Sequence, residues 1–317
     1  MNALHEPFAS RVEPSRAGER LDVYLAATLP GVSRSQANEL IRTGAVLLNG
    51  VPAKPSAKVQ AGDIVSLAGP LPAPPQTRLE PEEIPLGVVY EDADVVVLDK
   101  AAGMVVHPSA GHETGTLVHA LLARYPELRG EVTEPGSVAA QRPGIVHRLD
   151  KDTSGLMLVA RNTHSLRYLQ DAMRERRVLK EYTLLCCGAL DPPSGRIDAP
   201  VGRHPTNRLR MAVVSNGRAA LTEYETLESL GRYTLALARL HTGRTHQIRV
   251  HFSSVGYPLA GDSLYGKCTA PGLSRQFLHS SRLVLELPSG RHAEWSSPLP
   301  SDLAECLATV RGTLSLA

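Results

Sequence analysis

The stretch HRLDKDTSGLMLVA, residues 147–160, joins a dense group of charged and hydroxyl side chains to an uninterrupted apolar run. Its first nine residues include two aspartates, a lysine, an arginine and a histidine, and its last five are typical of a buried strand. Catalytic groups concentrate on loops that a rigid scaffold holds at the surface. The stretch therefore indicates a functional loop that leads into the core of a sheet.

The composition around this stretch is that of a globular protein. The chain has 317 residues, which is enough for two domains of unequal size. Hydrophobic residues make up 42% and charged residues 21%, so the chain lacks the low hydrophobicity that marks disorder. Its net charge of +2 permits a nucleic acid partner without arguing for one, and a basic surface has to be sought locally.

Several protein classes are not expected from this sequence. The four cysteines form no CxxC pair, so neither a zinc site nor a disulfide framework is expected. The N-terminal residues lack the apolar core of a signal peptide, and no run of about 18 apolar residues could span a membrane. We therefore expect a cytoplasmic protein without a membrane anchor.

Two domains and a linker are indicated by the pattern along the chain. Residues 1–15 read as a flexible tail, and residues 16–70 contain two helical patterns followed by short strands. The first helix has Leu21, Leu25 and Leu29 at helical spacing, and Ser33 begins the second with a capping-box pattern. Residues 69–85 hold six of the 24 prolines, which predicts a stiff linker over 71–85 before a second domain at 86–317.

The second domain is expected to have an α+β fold. Strand-like runs such as VVVLD, EYTLLCCGAL and RYTLALARL are interspersed with helical patterns such as HSLRYLQDAMRERRV. Their alternation suggests antiparallel pairing rather than a regular βαβ repeat. We therefore predict a mixed, largely antiparallel central sheet with flanking helices and loops, preceded by a small α/β domain.

Two basic clusters without an intervening acid lie in this second domain. Taken alone, each is best read as a solvated face. Beside the charged loop they favour a polyanion, whose phosphates would accept bidentate hydrogen bonds from the guanidinium groups. The clusters are Arg203, Arg208, Arg210 and Arg218, and then Arg232, Arg239, Arg244 and Arg249.

The sequence patterns that resemble metal or nucleotide sites lack the residues or the spacing that such sites need. In GYPLAGDS, Asp262 stands where a phosphate loop needs a lysine. His246 and His251 are five residues apart, which on a helix separates them by roughly 140° and does not suit a zinc pair. We expect no metal and no cofactor.

The motif around the opening stretch resembles the catalytic motif of the RluA/RluD class of pseudouridine synthases. Further matching segments occur in the family's order: EDADVVVLDKAAGMVVHPS, KEY at 180–182, HTGRTHQIRVHFSSVGYPLAGDSLYG and FLHSSRLVL. Residues 20–67 are similar to the small RNA-binding fold called the S4 domain. One departure is Ala101, which replaces the proline of the family's Lys-Pro-Ala-Gly and removes no ionisable group.

The resemblance implies a reaction that needs a carboxylate but no cofactor. A uridine within RNA has its glycosidic bond cut, and the uracil turns and is rejoined through carbon 5 to the same sugar carbon. A carboxylate acts at the sugar, as nucleophile or as base. The residues alone divide this role evenly between Asp150 and Asp152, and the resemblance implies Asp150.

The remaining site residues follow from the same resemblance. Arg249 matches the cation that the family pairs with its aspartate, with Arg244 as the alternative. Tyr182 matches the aromatic residue that stacks on the extruded uracil or moves a proton, and Leu278 a residue that packs against the base. The expected RNA contacts are His147, Arg148, Arg203, Arg208, Arg210 and Arg244.

The expected function is therefore RNA pseudouridine synthesis by a monomer. The substrate would be large-subunit ribosomal RNA or a pre-ribosomal particle, with the S4-like domain adding a second RNA contact. The main alternative is a catalytically inactive RNA-binding factor in ribosome assembly. A third is a glycoside hydrolase or nucleosidase that uses Asp150 and Asp152 as paired carboxylates and releases the free base.

Overall fold

The structure is a computed structural model, and it describes residues 8–29, 32, 34–69, 79–109, 111–131, 143–207 and 209–314. These residues belong to two compact units that divide between residues 78 and 79. The predicted linker at 71–85 spans this boundary, and its residues 71–78 lie outside the described residues. None of the described helices is long and apolar enough to cross a membrane.

The N-terminal unit packs two helices and a four-stranded antiparallel sheet around its own core. The sheet order is β1-β4-β2-β3. Leu21, Leu25 and Leu29 are buried as the helical spacing predicted, whereas the proposed cap Ser33 lies outside the described residues. The elements are β1 Ala9–Arg11, a short 3-10 helix Pro14–Arg16, α1 Leu21–Thr28, α2 Arg34–Arg42, β2 Val46–Leu48, β3 Val51–Pro52 and β4 Ile64–Leu67.

The described part of the expected N-terminal tail belongs to this unit. Ala9–Arg11 pairs with Ile64–Leu67 as an edge strand, and Val12 is buried in the core. The expectation of a flexible tail was therefore wrong for these residues. A three-residue strand next to Pro14 shows no alternation long enough to be seen in the sequence.

The larger unit is built on a nine-stranded mixed sheet, which confirms the predicted α+β class. The order is β5-β6-β7-β14-β8-β13-β12-β9, with β15 beside β14, and β7 with β14 is the only parallel pair among the described strands. The strands are β5 Gly87–Glu91, β6 Val95–Lys100, β7 Ser154–Ala160, β8 Leu179–Cys187, β9 Ser194–Asp198, β12 Leu221–Leu230, β13 Tyr233–Leu240, β14 Leu278–Glu286 and β15 His292–Ser296. A separate hairpin is β10 Val201–Arg203 with β11 Met211–Val213, and the helices are α3 Leu117–Arg124, α4 Leu128–Glu131, α5 Thr163–Arg174, α6 Gln247–Ser254 and α7 Ser301–Leu314.

Strand β7 explains the apolar run of the opening stretch. Its seven residues are all buried, because both faces of the sheet are covered at this position. Met157 and Val159 pack into one hydrophobic cluster with residues of α3, whereas Leu156 and Leu158 pack into another with residues of α5. A strand buried on both faces needs a continuous apolar sequence rather than an alternating one.

The start of β7 lies unusually close to β14. Gly155 has a φ of +110°, and a Cβ atom there would stand 2.3 Å from the carbonyl oxygen of Ser280. The parallel pairing of Ser280 with Gly155 therefore requires glycine. This contact sets the charged loop beside β14 and, through it, beside β8.

The cysteine spacing predicted no disulfide framework, and it did not indicate the disulfide that the described residues contain. Cys187 and Cys268 are joined by a disulfide, whereas Cys186 and Cys306 are free and buried. The two bonded residues are 81 positions apart and meet because the loop after α6 folds back on the end of β8. The N–H of Cys187, at the end of β8, donates to the carbonyl of Pro258 in that loop, a long-range contact that cysteine spacing does not reveal.

We expect Gly155→Ala to reduce the free energy of unfolding by roughly 3 kcal/mol or more, because the added methyl group would overlap the backbone of Ser280. Thermal and denaturant unfolding would measure the loss. Gly312→Ala is the matched control, since a Cβ added at this helix position would meet no described atom within 4 Å beyond its own helix. It should stabilise by up to about 1 kcal/mol, and equal effects of the two changes would contradict the close approach.

Candidate active site

The charged loop of residues 147–153, here called the Asp150 loop, is tied to the end of β6 by a buried lysine. Lys100 Nζ donates to the carbonyl oxygens of Ala101 at 2.7 Å, Met104 at 3.0 Å and Lys151 at 3.0 Å. Burial lowers the pKa of Lys100 to about 8, against the opposing charges of Asp152 and Asp150. The lysine therefore fixes the backbone of the loop that carries Asp150.

Asp150 is held by an arginine that has a second carboxylate behind it. Arg249, on α6, donates from Nη1 to Asp150 Oδ2 at 3.0 Å. Its Nε and Nη2 donate to the two oxygens of Asp262 at 2.7 and 2.9 Å. The Asp262 side chain is fully buried, whereas that of Asp150 keeps 15% exposure. The bidentate pair fixes the guanidinium plane, and the remaining nitrogen is aimed at Asp150.

Electrostatics keeps this arginine charged. Burial by itself would lower the pKa of Arg249, but its hydrogen bonds to Asp262 and the charges of both carboxylates raise it above the ordinary value. Asp262 also accepts from the backbone N–H groups of Leu264 and Tyr265 at 3.0 and 3.1 Å. The second carboxylate is thus fully hydrogen-bonded, as a buried charge must be.

Two aromatic rings complete the surroundings of Arg249. The Tyr265 ring centre lies 5.1 Å from its guanidinium carbon, and the Tyr265 hydroxyl accepts from Met211 N–H at 2.8 Å. That hydroxyl also hydrogen-bonds His246 Nδ1 at 2.7 Å, while His246 Nε2 lies 3.9 Å from Asp150 Oδ1. Burial lowers the pKa of His246 despite the nearby Asp150, so a neutral ring is favoured.

Asp262, Tyr265 and His246 were not predicted as site residues. They lie in the same segment as Arg249, HTGRTHQIRVHFSSVGYPLAGDSLYG, where Asp262 had only counted against a phosphate loop. The signal in the sequence that could have indicated Asp262 was a single aspartate in an apolar segment, a short distance along the chain from an arginine on the preceding helix. Spacing alone could not show that the turn after α6 brings the two together.

Tyr182 and Leu278 stand on neighbouring strands beside Asp150. They lie on β8 and β14, each is 4% exposed, and Ser280 of β14 is paired with Tyr182. Burial raises the pKa of Tyr182 well above its ordinary value, with a further contribution from the charge of Asp150. The tyrosine therefore stays a neutral phenol near neutral pH.

These groups line one cavity of about 660 Å³, which brings Asp150, Arg249, Tyr182 and Leu278 together. Asp150 is the single acid among the described residues that line it. We use the term cationic rim for the lining arginines Arg148, Arg174, Arg176, Arg218 and Arg244. A cavity of this size can hold a ligand of nucleotide size.

The other predicted RNA contacts divide into three groups. Arg148 and Arg244 line the cavity, whereas Arg203 and Arg210 do not. Arg210 instead stacks on Tyr265, with its guanidinium carbon 5.2 Å from the ring centre. Arg208 lies outside the described residues.

His147 lines the cavity but is held as a structural group. Its Nε2 accepts a hydrogen bond from the backbone N–H of Leu158 at 2.9 Å. Burial, and secondly the charge of Lys180, lower the pKa of His147 to about 3. A neutral ring bound to the backbone of β7 offers no charge to a phosphate, so a charged RNA contact by His147 is not supported.

Among the described residues, no group of three or more histidine, cysteine or acidic side chains could hold a metal ion.

The sequence model of the RNA pseudouridylate synthase family matches residues 94–254, and that of the S4 domain matches residues 19–65. The chain belongs to the RNA pseudouridylate synthase family. Enzymes of this family are isomerases that convert uridine in RNA to pseudouridine.

Relatives of this pseudouridylate synthase extend over most of its length. It is 50% identical to an uncharacterized RNA pseudouridine synthase of Chloroflexus aurantiacus, over 92% of this chain and 90% of the relative. It is 39% identical to the ribosomal large subunit pseudouridine synthase D of Escherichia coli strain K12, over 96% and 94%. A solved structure of human RNA pseudouridylate synthase domain containing 4 superposes with a TM-score of 0.56 at 25% identity, covering 71% of this chain and 93% of that one.

We expect Asp262→Asn to lower turnover at least about tenfold, equivalent to about 1.4 kcal/mol in the barrier, because Arg249 loses the charged bidentate partner that aims it at Asp150. Melting temperature should also fall, since a buried arginine is left without full compensation. Steady-state kinetics on RNA and thermal unfolding would measure both effects.

The matched control is Glu294→Gln, which breaks an equally bidentate but exposed pair with Arg282. An exposed pair contributes about 0 to 1 kcal/mol, so this variant should remain active and stable. Full activity of Asp262→Asn would show that Arg249 needs no second carboxylate.

Proposed function

We propose that this pseudouridylate synthase isomerises specific uridines of large-subunit ribosomal RNA, with Asp150 acting at the ribose. The observation that supports it most is the placement of Asp150. This carboxylate faces a cavity of suitable size, held by an arginine whose other two nitrogens are fixed by buried Asp262. A carboxylate kept charged and oriented, but not covered, is what attack on a sugar carbon or removal of a sugar proton requires.

The walls of the cavity are suited to a detached base. Pseudouridine formation breaks the bond between C1′ and N1, keeps the uracil in place and forms a bond between C1′ and C5. Tyr182 offers a ring on which the uracil can stack, and Leu278 offers an apolar contact beside it. Because its raised pKa keeps Tyr182 a neutral phenol, stacking is favoured over proton removal by a phenolate.

The cationic rim would hold the strand while the base is extruded. Extrusion of a stacked or paired base costs a few kcal/mol, and phosphate contacts have to keep the strand in place meanwhile. Arg148 and Arg218 of the rim are exposed and line the cavity. Guanidinium groups bind phosphate oxygens through paired hydrogen bonds, which fits a polyanionic substrate.

The S4 domain and the names of the relatives support ribosomal RNA as the substrate. Residues 19–65 match a domain that binds RNA, and several relatives of about 40% identity are named ribosomal large subunit pseudouridine synthase D. The proposal includes free large-subunit RNA or a pre-ribosomal particle as partner, and a monomer acting in the cytoplasm.

The two rival functions have less support. An inactive RNA-binding factor would have no use for an arginine fixed by Asp262 and aimed at Asp150. A nucleosidase with paired carboxylates would need Asp152 in the cavity, but Asp152 is absent from the described residues that line it. Pseudouridine synthesis explains the single lining acid.

Asp150→Asn should abolish pseudouridine formation and leave RNA affinity nearly unchanged, because the carboxylate acts in the chemistry and makes no phosphate contact. Pseudouridine mapping of ribosomal RNA and a binding titration would measure the two quantities. Asp152→Asn is the matched control and should have a milder effect. If the Asp150 variant keeps activity within about tenfold, or about 1.4 kcal/mol, the assignment is wrong.

Removal of residues 1–78 should spare turnover at saturating RNA and weaken affinity for structured ribosomal RNA. The remaining unit has its own core and contains all of the cavity residues. The slope of log affinity against log salt should become shallower by roughly one for each lost phosphate contact. An unaltered salt slope, or lost turnover in a truncated protein that circular dichroism shows to be folded, would contradict the separate RNA-binding role.

A further inference from the structure

Lys180 is a buried lysine in the cavity wall that the site described above does not use. It lies on β8, is 6% exposed and lines the cavity. Among the described residues, its Nζ donates to the sulfur of Met173 at 3.5 Å. Among the described residues, no carboxylate forms an ion pair with it. An ammonium with a thioether as its neighbour has donors left for a ligand.

The contrast with Lys100 shows that burial alone does not explain Lys180. Lys100 is just as buried, but its three donors are used by three backbone carbonyls. Burial lowers the pKa of Lys180 to about 8, and no carboxylate among the described residues pairs with it to offset this. A buried ammonium without compensation destabilises the fold, so its place in a cavity wall indicates a use for the charge.

The position of Lys180 relative to Tyr182 suggests what it would contact. The two residues are two positions apart on β8, so they share one face about 7 Å apart along the strand. A uracil stacked on Tyr182 is shorter than this separation, so the long lysine side chain would meet one edge of the ring.

We propose that Lys180 holds the uracil while it is detached from the ribose, by donating a hydrogen bond to one of its carbonyl oxygens. This inference rests on the proposed function. When the bond between C1′ and N1 breaks, its electron pair stays on the uracil, and the negative charge spreads onto the two carbonyl oxygens. A pair from the ring then forms the bond between C5 and C1′, C5 loses its proton and N1 gains one, so no atom or electron is left over.

Other cations in the cavity are less suited to this role. Arg249 has its hydrogen bonds committed to Asp150 and Asp262. Arg148 and Arg176 of the rim are exposed, and Arg174 is paired with Asp171 at 2.8 Å. A charge in a water-excluded wall stabilises a developing anion more strongly than an exposed one. An ammonium is a compact point charge, which suits a single carbonyl oxygen.

The test compares Lys180→Met, Lys180→Gln and Lys180→Arg with the wild-type protein on ribosomal RNA. Single-turnover rate at saturating RNA, affinity and salt slope are measured for each. Lys180→Met and Lys180→Gln should lower the rate at least about 100-fold, with affinity and salt slope unchanged, and Lys180→Arg should recover part of the rate because it keeps the charge. Lys267→Met is the control, since this exposed lysine lies outside the cavity lining and should not alter the rate.

The melting temperature of the variants distinguishes a role of Lys180 in catalysis from a purely structural role. Lys180→Met removes a desolvated charge and should keep or raise the melting temperature, so a slow but stable variant supports the inference. If Lys180→Met proves unfolded, Lys180→Gln and Lys180→Arg still test the inference. The variant that keeps the positive charge, Lys180→Arg, must be faster than the variant that removes it, Lys180→Gln.

A base that leaves as a more stable anion provides a second readout. RNA with 6-azauridine at the target position should show a defect for Lys180→Met at least about tenfold smaller than RNA with uridine. An unchanged single-turnover rate for Lys180→Met would overturn the inference. A full rate combined with lost affinity and a shallower salt slope would also overturn it, because Lys180 would then be a phosphate contact. Absence of pseudouridine with the wild-type protein would instead overturn the proposed function.

Discussion

The arrangement of the site depends on the bidentate pair between Arg249 and Asp262. A guanidinium has a fixed fork of donors, so two hydrogen bonds to one carboxylate determine its plane and direction. The third contact, to Asp150, is then set by the backbone of α6 and of the turn that carries Asp262. The protein thereby pairs Asp150 with a cation without covering it, because Asp262 compensates for the burial of the Arg249 charge.

The two buried lysines of the larger unit show two uses of the same residue type. Lys100 donates three hydrogen bonds to backbone carbonyls and so fixes the Asp150 loop against β6. Lys180 lies in the cavity wall beside the thioether of Met173. Burial lowers the pKa of both groups to about 8, so the shift alone does not distinguish them. What distinguishes them is whether the donors are already satisfied.

The expectations that were correct depend on contacts between residues close in the chain. Those that failed depend on contacts between residues far apart in the chain. The strand at residues 154–160 and the helix containing Leu21 and Leu25 were recognisable, because hydrophobic periodicity reports burial that neighbouring residues share. The expected tail was wrong at Ala9–Arg11, and the cysteine spacing did not indicate the disulfide between Cys187 and Cys268. Both depend on partners more than fifty residues away, which a local pattern does not contain.

The sequence by itself determined the α+β class, the family and the segments that carry the candidate site, because motif residues and apolar periodicity are local properties of the chain. Only the tertiary structure decided the roles within those segments. It separated Asp150, which lines the cavity, from Asp152, which does not, and it showed His147 to be bound to the backbone of β7. It also brought Asp262 to Arg249, thirteen residues away. Hydrogen-bond direction and desolvation depend on where side chains meet after folding, and that is a property of the packed fold.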